Sequence, residues 1–112
     1  MTFERFEVVR VPFPFTDKLA TKNRPALIIS HQAHFQSHTA HSVMAMITSA
    51  RHTPWALDVE LTDLTSVGLS SPSIVRFKLF TLDHQLVRGR LGQLSQADQA
   101  EVERHLSLLL GR

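Results

Sequence analysis

Hydrophobic residues in this chain recur at two different spacings, and the change from one to the other comes only near its end. Before residue 84, apolar residues lie in short runs of strand length or alternate with polar residues. After Ser95, residues Val102, Leu106 and Leu109 recur at helical spacing. The pattern predicts a mainly β fold that ends in a single helix.

Four to six short strands are indicated before that helix. Pro12 and Pro14 close the first of them, and because proline cannot donate to a ladder, this strand should end there or lie at an edge. The segments with strand character are Val8–Phe15, Ala26–Ile29, Val43–Ile47, Trp55–Leu61 and Ser73–Phe80.

Two of these segments alternate, the fourth only in its second half, and so predict which side chains share a face. Leu57, Val59 and Leu61 should lie together on one face of the fourth segment. In the fifth segment, Arg76 and Lys78 should lie on the face opposite to its alternating apolar residues Val75, Phe77 and Leu79.

The final helix carries its own start and stop signals. Ser95 followed by Asp98 resembles a capping box, with Asp in the position usually held by Glu or Gln. Gly111 stands where the helix would stop, after about four turns. Short strands followed by one packing helix predict a small, strongly bent antiparallel sheet or barrel.

Composition narrows the possible chemistry. The 112 residues suffice for one compact domain, residues 1–112, and the absence of cysteine excludes a disulfide framework, a thiol nucleophile and a thiolate zinc site. No apolar run approaches the roughly 20 residues needed to span a bilayer, and the first residues do not resemble a signal peptide. We therefore expect a soluble, cytoplasmic protein without a membrane partner.

Arg24 is the clearest candidate for chemistry. It lies between a polar segment and an apolar strand, and Pro25 restricts it to extended conformations, which fixes its direction. A guanidinium held in this way is suited to bind a phosphate by two parallel hydrogen bonds. The alternative is an exposed arginine at the start of a strand.

Thr48 and Ser49 are the second candidates, at the end of the Val43–Ile47 run. Their hydroxyls could contact a phosphate oxygen, or they could cap the local backbone in a turn. No GxSxG motif is present, so a hydrolase with a serine nucleophile is not supported.

Four histidines form a third pattern. His31, His34, His38 and His41 are spaced so that they would share one face of a helix, where they could bind a metal ion or attract phosphate. The segment has few apolar residues and no carboxylate to orient a metal-bound imidazole, so an ordinary polar connection is favoured.

Basic and aromatic residues are interleaved along the chain, as in proteins that bind single-stranded nucleic acid. With a net charge of only +2, the chain carries nine Arg but three Lys, and Arg is suited to phosphate. The aromatic candidates are Phe13, Phe15, Trp55 and Phe77, and the basic candidates are Arg10, Arg24, Arg51, Arg76, Lys78, Arg88 and Arg90. Alternatively, Arg76 and Lys78 form only the solvated face of a strand, and half of the aromatic residues are core.

The ordered set of these motifs resembles the MazF/PemK family of toxins from bacterial toxin–antitoxin systems. The similarity covers nearly the whole chain. It is carried by Val8–Asp17, Arg24–Ser30, Ile47–Ser49, Ser73–Arg76, Thr81–Asp83 and Leu91–Ser95.

The resemblance implies a small SH3-like or CcdB-like antiparallel β-barrel with a C-terminal helix, acting as a homodimer. It implies an endoribonuclease without metal or other cofactor, which cleaves single-stranded RNA and is neutralised by a cognate antitoxin. Arg24 and Thr48 would be catalytic. The RNA-binding residues would be Phe13, Phe15, Thr16, Asp17, Ser49, Arg51, Trp55, Arg76 and Lys78.

Two departures from the family pattern are visible. The family's first strand usually opens with Gly-Asp, whereas this chain has Phe6-Glu7, and no acidic residue directly precedes Arg24. Leu19, Ala20 and Thr21 stand there instead, and Asp17 is the nearest carboxylate. The Phe6-Glu7 pair leaves open a family member that only binds RNA or a partner. The shared barrel leaves open a second alternative, a CcdB-like gyrase poison without nuclease activity.

Overall fold

The computed structural model describes residues 2–13 and 22–112, which form one antiparallel sheet and a C-terminal helix. The sheet curls into a half-barrel with the strand order β4-β5-β3-β2-β1-β6. The mainly β prediction with one terminal helix is confirmed. The elements are β1 (Glu7–Phe13), β2 (Lys22–Ile28), α1 (Ser37–Thr39), β3 (His41–Ser49), β4 (Val59–Glu60), β5 (Ser73–Asp83), β6 (Gly89–Gln93) and α2 (Gln96–Leu109).

Both faces of the central strands are packed. Because side chains alternate along a strand, Val8, Leu27 and Ala45 lie on one face, in a core that includes Val102 and Leu106 of α2. The residues next to them in the chain lie on the other face, in a second core. That second core contains Phe3, Val9, Val11, Ala26, Ile28, Met44 and Leu82.

Pro12 has the predicted effect on β1. Strand β6 pairs with β1 only from Glu7 to Arg10, so Pro12 lies beyond the end of that ladder. On its other side Pro12 is opposite Asn23 of β2. The missing N–H of Pro12 therefore lies on an edge of the sheet, where it breaks no ladder.

A bulge in β5 overturns part of the predicted alternation. Ala45 of β3 pairs with Leu79, but its neighbour Met46 pairs with Arg76, so Phe77 and Lys78 are extra residues in β5. The bulge leaves Leu79 exposed, while Phe77 packs against the first core. The prediction that Phe77 and Leu79 share one face is therefore wrong.

The strand predicted over Trp55–Leu61 is wrong in its first half. Only Val59–Glu60 pairs as a strand, and Leu57 has a left-handed backbone with φ of 69°. The Asp58 carboxylate accepts the Trp55 N–H at 2.8 Å, which closes a turn in place of an extended strand. Val59 and Leu61 are buried as predicted.

Helix α2 begins at the predicted cap, with Ser95 Oγ accepting the Asp98 N–H at 3.2 Å. The Asp98 carboxylate does not complete a capping box. It is buried and accepts hydrogen bonds from the N–H groups of Thr62 and Asp63 and from Thr62 Oγ. Asp98 therefore connects α2 to the segment after β4 instead of capping its own helix.

The Phe6-Glu7 pair lies at the start of β1, where β1 pairs with β6. Phe6 has a left-handed φ of 69°, a conformation that glycine adopts freely, and its side chain is buried in the first core. Glu7 accepts two hydrogen bonds from Arg90 Nη1 at 2.8 and 2.9 Å and one from the Glu4 N–H. Both residues stabilise the β1–β6 side of the fold.

Within residues 2–13 and 22–112, no helix is both long enough and apolar enough to cross a membrane.

Candidate functional site

A cavity of about 370 Å³ opens on the face of the second core, where the β2–β3 ladder ends. It combines apolar side chains with hydroxyl, imidazole and cationic groups. The residues that line it are Phe13, Arg24, Met46, Ile47, Thr48, His52, Arg76, Lys78, Leu79 and Phe80.

Strand register brings Arg24 and Thr48 to this cavity. The β2–β3 ladder ends at the pair Ala26 and Met46, and continuing its antiparallel register by two residues places Arg24 opposite Thr48. Two residues is one full period of a strand, so both side chains fall on the face of Ala26. The exposed Arg24 and the half-buried Thr48 thus line one cavity from neighbouring strands.

The three basic side chains in the cavity differ in what they contact. Arg76 is buried and forms a two-pronged ion pair with Asp58, Nε to Oδ1 at 3.2 Å and Nη2 to Oδ2 at 2.9 Å. Arg24 and Lys78 are exposed. Because Arg24, Arg76 and Lys78 line the cavity and none of its described lining residues is acidic, the charge of the lining favours an anion.

The Arg76–Asp58 pair fixes the charge of both groups. Burial raises the pKa of the Asp58 carboxyl, but hydrogen bonds from Arg76 and from the Trp55 N–H, together with the charge of Arg76, lower it overall. The hydrogen bond to Asp58 raises the pKa of Arg76. Arg76 is therefore not the solvated cation that alternation in β5 predicts.

The other residues predicted to bind RNA are placed as follows. Phe13 and Lys78 line the cavity, while Trp55 lies beside it, with Arg76 Cζ 4.9 Å and Lys78 Nζ 5.1 Å from its ring centroid. Ser49 Oγ accepts the N–H of Arg51 at 3.2 Å, a turn contact, and neither side chain is among those lining the cavity. Phe15, Thr16 and Asp17 lie outside the described residues.

The structure brings fewer basic side chains together than the sequence predicts. Arg90 pairs with Glu7, and Arg88 Nη1 donates to Asn23 Oδ1 at 2.9 Å. Arg10 is next to Val11 in β1, and since Val11 is opposite Arg24, alternation turns Arg10 to the other face. Of the seven basic candidates, Arg24, Arg76 and Lys78 are brought together.

The four histidines do not form a ligand set. One π-helical turn, Gln32–Gln36, runs into α1, and this stretch is too short to align all four. The rings of His31 and His34 lie 4.6 Å apart, while His41 Nδ1 is hydrogen-bonded to the Thr39 carbonyl at 2.7 Å. In the part of the chain that is described, no three His, Cys, Asp or Glu side chains are grouped so as to hold a metal ion.

Several cavity residues were not predicted. Met46 could have been found, because it shares the face of Thr48 two residues away. The positions of Leu79 and Phe80 at the cavity depend on the bulge in β5, for which the sequence gives no signal. His52 lies in the β3–β4 loop (residues 50–58), where periodicity predicts nothing.

Residues 4–110 match the family model of PemK-like, MazF-like toxins of type II toxin–antitoxin systems. The chain belongs to this family. The match covers the strands that carry Arg24 and Thr48, and it favours a MazF/PemK-like toxin over the CcdB-like alternative. No significant match is found among curated protein sequences.

Solved structures with the same fold have low sequence identity to this MazF/PemK family member. MazF from Deinococcus radiodurans superposes with a TM-score of 0.75 at 22% identity, covering 100% of this chain and 99% of that one. A mycobacterial endoribonuclease in complex with its cognate antitoxin gives 0.75 at 23% identity, covering 97% and 95%. A MazE–MazF complex from D. radiodurans gives 0.73 at 22% identity, covering 99% and 97%.

Proposed function

We propose that this toxin is a sequence-specific endoribonuclease that cleaves single-stranded RNA in the Arg24–Thr48 cavity, without a metal or other cofactor. One observation carries the proposal: the two side chains come from separate strands and line the same cavity. The described lining of that cavity includes further cationic side chains and no acidic one. The superposed mycobacterial protein, described as an endoribonuclease, supports the same activity.

The reaction proposed is attack by the ribose 2′-hydroxyl on the adjacent phosphorus. The O2′–P bond forms as O2′ loses its proton to water, and the P–O5′ bond breaks. O5′ takes a proton from water, either directly or through Arg24, which water then reprotonates. The products are a 2′,3′-cyclic phosphate and a 5′-hydroxyl. Charge grows on the non-bridging phosphate oxygens in the transition state, so donors aimed at them accelerate the reaction.

Arg24 is suited to that charge, because a guanidinium stays protonated at neutral pH and donates two parallel hydrogen bonds to a phosphate. A group that keeps its proton is a poor base, so we assign Arg24 electrostatic stabilisation first and proton donation second. Thr48 would use its hydroxyl to position the phosphate or the attacking 2′-hydroxyl.

The remaining assignments are parts of the same proposal. Phe13 and Lys78 line the cavity and would contact RNA, with Lys78 adding a phosphate contact. Contacts from Ser49, Arg51 and Trp55 would extend the site along the strand of RNA. Phe15, Thr16 and Asp17, outside the described residues, stay predictions from the family resemblance.

We further propose that residues 1–112 act as a single toxin domain, as a homodimer in the cytoplasm, and that a cognate antitoxin blocks the cavity. The superposed mycobacterial and Deinococcus toxins are found with antitoxins. Acidic side chains of an antitoxin would compete with RNA phosphates for Arg24 and Lys78. Exposed Phe13 and Leu79 offer the apolar contacts that such a segment would cover.

Incubation of the antitoxin-free protein with single-stranded RNA in EDTA tests this function. We expect discrete cleavage products at short sequence motifs, whether or not EDTA is present. Intact RNA would contradict the proposal: tight RNA binding without cleavage would indicate the binding-only alternative, and loss of gyrase supercoiling activity in a parallel assay would indicate the gyrase poison.

A further inference from the structure

Among residues 2–13 and 22–112, Trp55 is the most exposed aromatic side chain at or beside the cavity. Its side chain is 47% exposed, although burial of a large aromatic side chain would stabilise the fold strongly. Its ring lies 4.9 Å from Arg76 Cζ and 5.1 Å from Lys78 Nζ, and both of these cations line the cavity. The ring is thus held at the border of the anion site and still presents surface to solvent.

The position of Trp55 is set by a closed network centred on Arg76. The Arg76 guanidinium donates to both Asp58 oxygens at 3.2 and 2.9 Å, and its Nη2 also donates to the Thr53 carbonyl at 2.7 Å. Asp58 Oδ2 in turn accepts the Trp55 N–H at 2.8 Å. We call these four residues, Thr53, Trp55, Asp58 and Arg76, the loop latch.

The latch uses donors that a phosphate would otherwise need. Arg76 Nε has a single hydrogen, which goes to Asp58, and the two hydrogens of Nη2 go to Asp58 and Thr53. Because the residue is only 8% exposed, freeing this edge for RNA would require the β3–β4 loop to detach. Holding the β3–β4 loop is therefore a more favourable role for Arg76 than the direct RNA contact predicted from the sequence.

We propose that Trp55 is a stacking platform for one nucleobase of the bound RNA, and that Arg76 is the positioning residue that holds it there through Asp58. The proposal rests on the proposed endoribonuclease function. Bases of single-stranded RNA are unpaired and stack on exposed aromatic rings next to a cationic track that binds the backbone. Lys78, exposed and beside both ring and cavity, provides that track.

The protein contains a single tryptophan and no tyrosine, so its intrinsic fluorescence reports on Trp55 alone. The probe is a fully 2′-deoxy oligonucleotide of the cleaved sequence, which lacks the attacking hydroxyl. We expect it to quench Trp55 fluorescence with the same Kd that fluorescence anisotropy of the labelled oligonucleotide gives. Inorganic polyphosphate, which has no bases, should bind without this quenching.

The variant Asp58→Asn distinguishes the loop latch from a purely electrostatic effect on oligonucleotide binding. Removing a negative charge beside a cationic cavity should strengthen binding of a polyanion if charge alone matters. The loop latch predicts the opposite, that Asp58→Asn binds the oligonucleotide about 5- to 100-fold more weakly than wild type. Trp55→Ala should weaken binding to the same extent, because both variants lose the stacked base. Trp55→Phe should retain most of the affinity, and Glu60→Gln, an exposed acid on β4, is the matched control with equal or tighter binding.

The outcomes distinguish this proposal from the function on which it rests. Weaker oligonucleotide binding by both Asp58→Asn and Trp55→Ala than by Glu60→Gln, together with a raised KM for RNA cleavage in both variants, supports the platform. Oligonucleotide binding that leaves Trp55 fluorescence unchanged, or Asp58→Asn binding that is tighter than wild type, overturns the platform alone. Absence of both binding and cleavage overturns the proposed function as well, and quenching only by an acidic peptide would assign Trp55 to a protein partner.

Discussion

Arg24 and Thr48 each lie two residues beyond the last ladder pair of β2 and β3, Ala26 and Met46, and both side chains line the same cavity. Strand register, not nearness in the sequence, creates this relationship. A cavity opens at this end of the ladder, so the two side chains line space that a bound phosphate can occupy.

Replacing either side chain should slow RNA cleavage strongly and leave the fold intact. We expect Arg24→Ala to slow RNA cleavage by about 10²- to 10³-fold, the usual effect of losing one donor to transition-state charge. Thr48→Ala should also slow cleavage, because the phosphate or the attacking hydroxyl is less well positioned. Both are measured as single-turnover rates, with far-UV circular dichroism to confirm folding.

Arg10→Ala is the matched control for charge. Arg10 is an exposed arginine of the same sheet, but alternation directs it to the opposite face. Its removal should leave the cleavage rate within about twofold of wild type, since only distant charge is lost. An equal loss of activity in Arg10→Ala and Arg24→Ala would argue against a specific role for Arg24.

The Asp58–Arg76 pair should make stability sensitive to acid. Because folding lowers the pKa of Asp58, the pair stabilises the fold fully at pH values above the unfolded pKa, about 3.9. That contribution is lost as the pH falls from there through the lower, folded pKa. Urea unfolding between pH 6 and pH 2.5 should therefore show a steeper acid loss in wild type than in Asp58→Asn, and parallel curves would contradict this assignment.

Phe6 provides a test of the departure from the family's Gly-Asp pattern. Phe6→Gly relieves a left-handed backbone, worth about 1–2 kcal/mol, but removes a buried aromatic side chain, worth about 3–5 kcal/mol. We therefore expect net destabilisation of about 1–4 kcal/mol by chemical denaturation. Ala40→Gly, at an exposed left-handed position with φ of 55°, should instead be neutral or slightly stabilising.

Gly92 should tolerate no side chain. A Cβ there would lie 2.0 Å from the backbone oxygen of Ser66, at a φ of 152°. We expect Gly92→Ala to lower the free energy of unfolding by about 3 kcal/mol or more, because backbone must move. Gly89→Ala is the control: its Cβ would meet only the end of the Arg10 side chain at 3.3 Å, and the change should stay within about 1 kcal/mol. Similar losses in both variants would contradict the packing at Gly92.

Periodicity was sufficient to predict the fold class and α2 with its Ser95 cap. The missing proline N–H also predicted that β1 would end near Pro12 or lie at an edge there. These features are local, because they depend on alternation, helical spacing and the missing proline N–H. The same reasoning singled out Arg24 and Thr48 separately, but only the register of β2 against β3 places them in one cavity.

What the sequence could not predict depends on contacts between distant segments. The bulge of β5 against Ala45 and Met46 ended the alternation around Arg76. The Asp58 carboxylate, which pairs with Arg76, accepts the Trp55 N–H and closes a turn where half of a strand was predicted. Asp98 was expected to cap its own helix and instead binds Thr62. In each case a tertiary hydrogen bond or a local register shift overrides the local pattern.

The most direct test of the central claim uses an RNA with one mapped cleavage site and a variant of it that is 2′-deoxy only at the nucleotide before the scissile phosphate. If the 2′-hydroxyl attacks in the Arg24–Thr48 cavity, the all-ribose RNA is cut in EDTA to a 2′,3′-cyclic phosphate and a 5′-hydroxyl. The deoxy-substituted RNA then stays intact, and Arg24→Ala cuts neither at a comparable rate. Cleavage of the deoxy-substituted RNA at the same site, or undiminished cleavage by Arg24→Ala, would contradict the account.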